Sequence, residues 1–203
     1  MIMQDALKQL IKDEIAPLFK AKGFKKKGNN FAKMFSDFAW TVNIQSSKWN
    51  TKEEVEFTFN TGIFTDKIFG PYYQTEPPKF PTEIHSVLRF HISELKNEPH
   101  TWYRIDLSSD LDEVKREVRS DIQKVIFPYF EKFQTINEVM QEMKREDEQD
   151  LYGSNHFLTI LYKAYGYNKE AQERINKAYA ESEFDSQKEY AKELANYLGL
   201  LIE

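Results

Sequence analysis

Every second residue is apolar in two nearby segments of the chain, and this period of two constrains the fold more than any other feature. Phe38–Gln45 reads Phe-Ala-Trp-Thr-Val-Asn-Ile-Gln, and Val55–Asn60 repeats the alternation. Side chains along an extended strand point alternately to opposite sides, so such runs are typical of half-buried strands. The connection Ser46–Lys52 is short and polar, so we expect the two strands to pair antiparallel.

A helical period precedes these strands. Between Leu7 and Phe19, apolar residues recur at spacings of three and four, which predicts one face of an amphipathic helix. Gly23 supplies the left-handed residue that commonly ends a helix, and Pro17 is expected to kink it. Beyond the glycine the period shortens to two, and Gly28-Asn29-Asn30 predicts a hairpin turn.

Irregular structure is predicted after the strand pair. Thr65–Ile84 holds four of the 7 prolines together with several aromatic residues. Proline disfavours regular structure, and long loops in compact domains are commonly functional. We expect this segment, the aromatic loop, to pack back onto the domain through its rings.

Two more strands are predicted, at about His85–Leu95 and about Thr101–Asp106. Side chains of the first alternate between an apolar and a polar face: Leu88, Phe90 and Ile92 against Arg89 and His91.

Helical signals dominate the rest of the chain. Ser108-Ser109-Asp110 has N-cap chemistry before an apolar helical pattern, and Thr135 with Glu138 and Ser186 with Glu189 match the capping box. Ser154–Glu203 is predicted to form three helices, with turns at Gly166–Asn168 and near Asp185.

The predicted fold class is therefore α+β: an N-terminal helix, an antiparallel sheet of about six strands, a packing helix and a C-terminal helical extension. We place an α+β sheet domain at residues 1–150 and the helical extension, packed on it, at residues 151–203. The boundary is expected at Leu151-Tyr152-Gly153, after the charged run Glu138–Asp150.

Composition excludes several classes. Hydrophobic residues make up 40% and aromatic residues 15% of the chain, enough for a ring-rich core, so disorder is not expected. With no cysteine, disulfide frameworks, thiolate metal sites and cysteine nucleophiles are excluded, and a cytoplasmic location fits best. Met1–Leu10 is amphipathic and lacks the unbroken apolar stretch of a secretory signal, and no membrane span is expected.

Several short motifs follow one another along the first half of the chain. They are Gly23-Phe24-Lys25-Lys26-Lys27, Phe31, Gln45-Ser46-Ser47, Asn60-Thr61-Gly62, Arg89 and Trp102. In order and spacing they resemble the bacterial domain-of-unknown-function family 4304, over roughly residues 5 to 135. The resemblance implies a fold and a bacterial cytoplasmic setting, and it brings no catalytic residues with it.

The polar side of the predicted sheet is the best candidate for a binding surface. Its residues are amides, arginine and histidine, which make directional hydrogen bonds, whereas a solvated face more often carries Lys, Glu and Thr. The predicted ligand- or partner-binding residues are Gln45, Asn60, Arg89, His91 and Trp102. Register decides whether Trp102 and Arg104, or Tyr103 and Ile105, join this cluster. A solvated sheet face with no binding role is the simpler alternative.

Other kinds of site have weaker support. His85 and His91 would lie about 20 Å apart on one strand, too far to share a metal, and the acidic residues at positions 106–113 are expected to cap a helix. Glycine loops for phosphates or dinucleotides are absent from the sequence, so we expect no cofactor, and no catalytic set is recognisable.

Charge is distributed unevenly along the chain. Residues 1–50 contain nine lysines and four acidic residues, a balance of +5 in a chain whose net charge is −5. The Lys20–Lys27 cluster is the single argument for nucleic acid, and the acidic balance of the whole chain argues against it.

The sequence thus favours a non-catalytic cytoplasmic module that binds a protein partner through the polar side of the predicted sheet or through the aromatic loop. By analogy alone, an immunity-like role against a bacterial toxin fits a small acidic protein. The alternative is a small-molecule binder or an enzyme that takes an anionic ligand, with Arg89 and His91 as binding groups.

Overall fold

The computed structural model describes residues 3–148 and 155–202, and within them six strands form one antiparallel sheet, as predicted. Five strands follow one another in chain order across the sheet, and the sixth pairs with the fourth. The strands are β1 Lys25–Lys27, β2 Asn30–Met34, β3 Ala39–Ser46, β4 Glu54–Phe64, β5 Leu88–His91 and β6 Tyr103–Asp106.

The longest strand, β4, organises this sheet. Its full pairing with β3 aligns Asn43 with Asn60, which confirms the antiparallel pair expected from alternation. On its other edge, β4 pairs first with β6 and then with β5, so these two short strands lie end to end. Residues far apart in sequence are thereby brought to one surface.

Nine α-helices lie within the described residues. They are α1 Met3–Leu10, α2 Ala16–Ala21, α3 Ile92–Lys96, α4 Leu111–Asp121, α5 Phe127–Glu131, α6 Ile136–Glu148, α7 Asn155–Ala164, α8 Asn168–Ala180 and α9 Asp185–Leu198. The helices α7, α8 and α9 confirm the predicted C-terminal helical region, and Gly166 has the positive φ that the predicted turn requires.

A π-helical turn, Ile11–Ile15, joins α1 to α2, and another, Ile122–Ile126, joins α4 to α5. In the first, the Ala16 amide donates to the Ile11 carbonyl, five residues back. These two π turns each end two residues before a proline, Pro17 or Pro128. Proline cannot donate the helical hydrogen bond and its ring crowds the preceding turn, so a wider turn upstream relieves the clash.

Aromatic rings pack between the sheet and the helices α2 and α5. Phe19 stacks on Phe31 with ring centroids 4.7 Å apart, and Trp40 stacks on Phe130 at 5.3 Å. Rings of this size each bury on the order of 150–250 Å². The expectation of a ring-rich core is confirmed.

The predicted strand at His85–Leu95 is wrong at both ends. The strand covers only Leu88–His91, because His85 belongs to a 3₁₀ turn and Ile92 begins α3. The predicted capping box at Ser186 is also wrong. The helix α9 begins one residue earlier, and the Gln187 side chain accepts from the Phe184 amide at 3.2 Å.

Two compact units make up the chain. The first comprises Met1–Phe64 and Phe80–Gln134, and holds the whole sheet. The second comprises Thr65–Lys79 and Thr135–Glu203, so most of the aromatic loop belongs with the C-terminal helices. The boundary predicted at Leu151–Gly153 lies outside the described residues, and the division at residue 150 stays a prediction. None of the described helices is both long and apolar enough to cross a membrane.

Candidate functional site

A row of polar side chains crosses four strands on the side of the sheet turned away from Trp40 and the aromatic core. Register places Asn30 beside Asn43, Asn43 beside Asn60, and Asn60 beside His91. Directly paired residues share a sheet face, so alternation predicted this side correctly. We call the surface the polar face, and it comprises Asn30, Asn43, Gln45, Asn60, Arg89, His91 and Trp102.

Amide side chains bind one another in pairs on the polar face. Asn60 Nδ2 donates to Gln45 Oε1 at 2.7 Å, and Asn43 Nδ2 donates to Asn30 Oδ1 at 2.8 Å. Gln45 is exposed and Asn60 is half-buried. Each amide group has further donor or acceptor capacity beyond these bonds, so the pairs present an ordered set of hydrogen-bonding groups to solvent.

Arg89 shares the polar face but already has a carboxylate partner. It lies opposite Gly62 in the sheet, and its Nε donates to Glu83 Oε1 at 2.5 Å. The Glu83 side chain is only 7% exposed, whereas the Arg89 side chain is 45% exposed. The ion pair therefore fixes the guanidinium in place while leaving its outer edge accessible.

His91 is held by hydrogen bonds at both ring nitrogens. Thr58 Oγ1 donates to the Thr101 carbonyl at 2.7 Å, so it accepts from His91 Nε2 at 2.8 Å. His91 Nδ1 accepts from the Ser93 amide at 3.1 Å and thereby caps α3. Burial lowers the pKa of His91 and so favours the neutral ring, while the nearby Glu94 opposes the shift. The ring ties β4, β5 and α3 together.

The register of β6 settles which aromatic residue reaches the polar face. Tyr103 pairs with Phe57 and stacks on it at 5.1 Å in the core, so Trp102 and Arg104 take the opposite side. Trp102 is 38% exposed, and its ring centroid lies 6.4 Å from that of His91. Of the two sequence alternatives, the Trp102 and Arg104 pair joins the cluster.

One end of the polar face is closed. Thr41 is fully buried, and its hydroxyl lies 2.9 Å from Ser86 Oγ, which packs over the sheet. Gly62 allows this approach, because a Cβ there would lie 2.5 Å from Ser86 Oγ. The polar face is thus covered around Thr41 and Gly62 and open around Gln45.

All five predicted site residues meet on the polar face, but sequence analysis missed their partners. Glu83 and Thr58 lie on segments whose approach depends on the folded chain. A local signal did exist for the cap of α3, since Glu94, three residues after His91, accepts from the His91 amide at 2.5 Å. This is the capping-box arrangement with histidine in place of serine or threonine.

Of the acidic residues at positions 106–113 that were expected to cap a helix, Asp110 does so. Asp110 accepts from the Asp112 and Glu113 amides at the start of α4. Hydrogen bonds from Ser108 and Ser109 lower the pKa of Asp106 to about 2. Within residues 3–148 and 155–202, no group of three or more His, Cys, Asp or Glu residues could hold a metal ion.

A buried carboxylate behind the sheet was not predicted. Asp121 accepts from the Tyr103 hydroxyl at 2.7 Å and from Lys96 Nζ at 3.2 Å. Burial, together with this hydrogen bond, raises the pKa of Tyr103 well above its usual value. The cluster joins α3, β6 and α4, and Tyr103 lies on the core side of the sheet, so we assign the cluster a structural role.

The aromatic loop forms a separate surface in the second unit. Tyr72 packs edge-on against Phe157 at 4.7 Å and against Tyr190 at 5.6 Å. An open cavity of about 350 Å³ lies here, lined by Tyr72, His156, Ser186, Gln187 and Tyr190. Burial lowers the pKa of His156 and raises that of Tyr190 to about 12, so both groups are neutral at pH 7.

Fold and site together define an α+β domain whose antiparallel sheet carries an aromatic core on one side and an amide-rich surface on the other. The chain belongs to the family described as Domain of unknown function (DUF4304), whose model matches residues 15–132. This match confirms the resemblance expected from the short motifs. No curated protein and no solved structure matches the chain.

Proposed function

We propose that this protein is a non-catalytic binding module whose polar face takes a protein partner. The observation that carries the proposal is the exposure of Trp102 on a sheet surface that also presents Arg89 and the Gln45–Asn60 amide pair. Tryptophan and arginine are the residues most enriched among the energetically dominant positions of protein interfaces. A merely solvated face has no need of an indole ring.

The 3₁₀ turn Glu83–His85 supports the same proposal. Ile84 follows Glu83, the partner of Arg89, in the chain; it is 65% exposed and adds an apolar group to this turn. An interface commonly combines such apolar anchors with hydrogen-bonding groups that are already held in place. The internal bonds of Gln45, Asn60 and Arg89 reduce the entropy that a partner must remove on binding.

Those internal bonds also favour a protein over a small anion. Arg89 Nε is occupied by the Glu83 carboxylate, and both His91 nitrogens are bonded within the domain. An anion at this face would have to compete with a nearly buried carboxylate for the guanidinium. The anionic-ligand alternative therefore has less support than a protein partner.

The setting that we propose is the bacterial cytoplasm. The lack of cysteine suits a reducing compartment, and the net charge of −5 suits a partner with a basic surface. An immunity-like role, in which the partner is a toxin, is one form of this proposal and rests on analogy.

Substitution of the indole tests the proposal. Wild type, Trp102→Ala and Tyr197→Ala are each expressed in the cells from which the protein comes and are purified, and the proteins that co-purify with each are quantified. Tyr197 is the matched control because it is an exposed aromatic residue in the second unit. We expect the partner to bind Trp102→Ala at least roughly 30-fold more weakly, the loss typical of a dominant interface residue of 2 kcal/mol or more.

A second pair of variants isolates the guanidinium. Arg89→Ala should weaken binding of the same partner. Arg116 is an exposed arginine on α4, and Arg116→Ala should leave the binding unchanged. Circular dichroism must show that all variants remain folded. Equal recovery of every partner by Trp102→Ala and Tyr197→Ala would contradict a partner at the polar face.

A further inference from the structure

A groove rich in lysine lies on the helix side of the sheet, away from the polar face. Its volume is about 350 Å³, and it runs between the first helix and the turn that joins β1 to β2. We call it the basic groove, and it is lined by Lys8, Ile11, Lys12, Ala16, Lys20, Lys26 and Asn29.

The π turn in the first helix aligns three of the lysines. Lys8 and Lys12 are four residues apart and so lie on one side of the helix. A π turn holds about one residue more than an α turn, so Lys20 takes the angular position of residue 19 in an uninterrupted α-helix. That position is 11 residues, or about three turns, beyond Lys8. Without the π turn, Lys20 would point about 100° away.

The fourth lysine comes from the hairpin. Lys26 pairs with Phe31, and its Nζ lies 5.9 Å from the centre of that ring, which places the side chain on the helix side of the sheet. Lysines on an edge strand commonly prevent strands of other molecules from pairing. Edge protection accounts for lysines on β1 but not for the aligned lysines of the helix.

None of the seven lining residues is acidic. Lys8 makes an exposed ion pair with Asp5 at 3.1 Å. Among the residues that the structure describes, Lys12, Lys20 and Lys26 form no ion pair with a carboxylate. Exposed like charges closer than the Debye length, about 8 Å at physiological ionic strength, repel one another, and a bound anion would relieve that repulsion.

We propose that the basic groove binds a compact ligand that carries at least two phosphate groups. Lysine ammonium groups bind phosphate oxygens as point charges, and converging lysines suit neighbouring phosphates. Ile11 and Ala16 form an apolar floor, and the Asn29 amide can bind a further polar group of the ligand.

Size and charge favour a compact phosphate ligand over nucleic acid. A cavity of about 350 Å³ accommodates a small molecule. A long polyanion would extend beyond the groove along a chain whose net charge is −5. Local attraction by the lysines is effective over roughly one Debye length, so a short polyphosphate gains it without that wider repulsion.

Tripolyphosphate is the probe for a binding test with the full chain. Calorimetry at about 50 mM and about 300 mM salt would be run on wild type, on Lys12→Gln/Lys20→Gln, and on Lys124→Gln/Lys132→Gln. The last variant removes the same charge from two exposed lysines of the first unit outside the groove. Melting temperatures measured without ligand must show that both variants remain folded, and we expect this because the substituted lysines are exposed.

We expect wild type and control to bind alike, the groove variant to bind at least about tenfold more weakly, and affinity to fall as salt rises. Citrate, a carboxylate trianion, should bind more weakly than tripolyphosphate. Absence of binding to wild type, or equal loss in the groove and control variants, would overturn the proposal. Tighter, Lys12- and Lys20-dependent binding of a single-stranded oligonucleotide would replace it with a nucleic-acid site.

Discussion

Replacement of Gly62 by alanine tests how the polar face is closed. Gly62 lies two residues before the end of β4, opposite Thr41 on one side and Arg89 on the other. A Cβ at this position would lie 2.5 Å from Ser86 Oγ, 2.6 Å from Ser86 Cβ and 2.8 Å from Thr41 Oγ1. Contacts this short force Ser86, which directly follows the 3₁₀ turn Glu83–His85, away from the sheet.

The expected loss of stability has two parts. Overpacking at a closely packed site costs about 1–3 kcal/mol. Loss of the 2.9 Å hydrogen bond between Thr41 and Ser86 adds about 0.5–1.5 kcal/mol. We therefore expect Gly62→Ala to lower the free energy of unfolding by about 2–4 kcal/mol, which corresponds to a fall in melting temperature of roughly 5–15 °C.

Urea unfolding of a double-mutant cycle measures this effect. Ser86→Gly removes two of the three atoms that the new methyl group meets, so Gly62→Ala/Ser86→Gly should be more stable than the sum of the two single losses implies. Gly70→Ala is the matched control, because its Cβ would meet only Tyr197 Oη, at an ordinary 3.6 Å. Purely additive losses, or equal losses at Gly62 and Gly70, would refute the reasoning.

Three more predictions concern ionisable groups. Burial lowers the pKa of His91, so its contribution to stability is present above about pH 6.5 and is lost as the pH falls below it. Urea unfolding at pH 7.5 and 5.5 should therefore show that the free energy of unfolding falls less between these two pH values in His91→Gln than in wild type. Burial and the neighbouring Asp121 raise the pKa of Glu117, so its contribution is full below about pH 4.3 and is lost as the pH rises through the folded-state pKa. Glu117→Gln should then raise the melting temperature at pH 7 and leave it unchanged at pH 3, and no gain at pH 7 would count against this. Tyr103→Phe deprives buried Asp121 of a hydrogen bond and should cost about 1–3 kcal/mol in urea unfolding, whereas the exposed Tyr197→Phe should cost almost nothing.

Local patterns predicted much of the fold because they depend on residues close in sequence. Alternation from Phe38 to Ile44 placed the core side of β3, and Asp110 was recognised as a helix cap. These signals reflect strand geometry and the unpaired amides at a helix start. The length of β5 was overestimated, because the histidine cap of α3 interrupts an apparently continuous alternation.

The polar face shows what such local patterns cannot predict. Alternation indicated that Gln45 and Asn60 share a side, yet it could not tell whether Trp102 or Tyr103 joins them. That choice follows from the pairing of Tyr103 with Phe57, 46 positions earlier in the chain. Strand register depends on contacts between distant segments, and a shift of one residue reverses the side to which every side chain points.

By itself, the sequence determined most of the helical and extended segments, the aromatic core and membership of a family. Only the tertiary structure decided that Glu83 binds Arg89, that His91 bonds through both nitrogens, and that Lys12 and Lys20 line one groove. Periodicity is written into neighbouring residues, whereas partners and shared surfaces arise when the folded backbone brings distant residues within a few ångströms of one another.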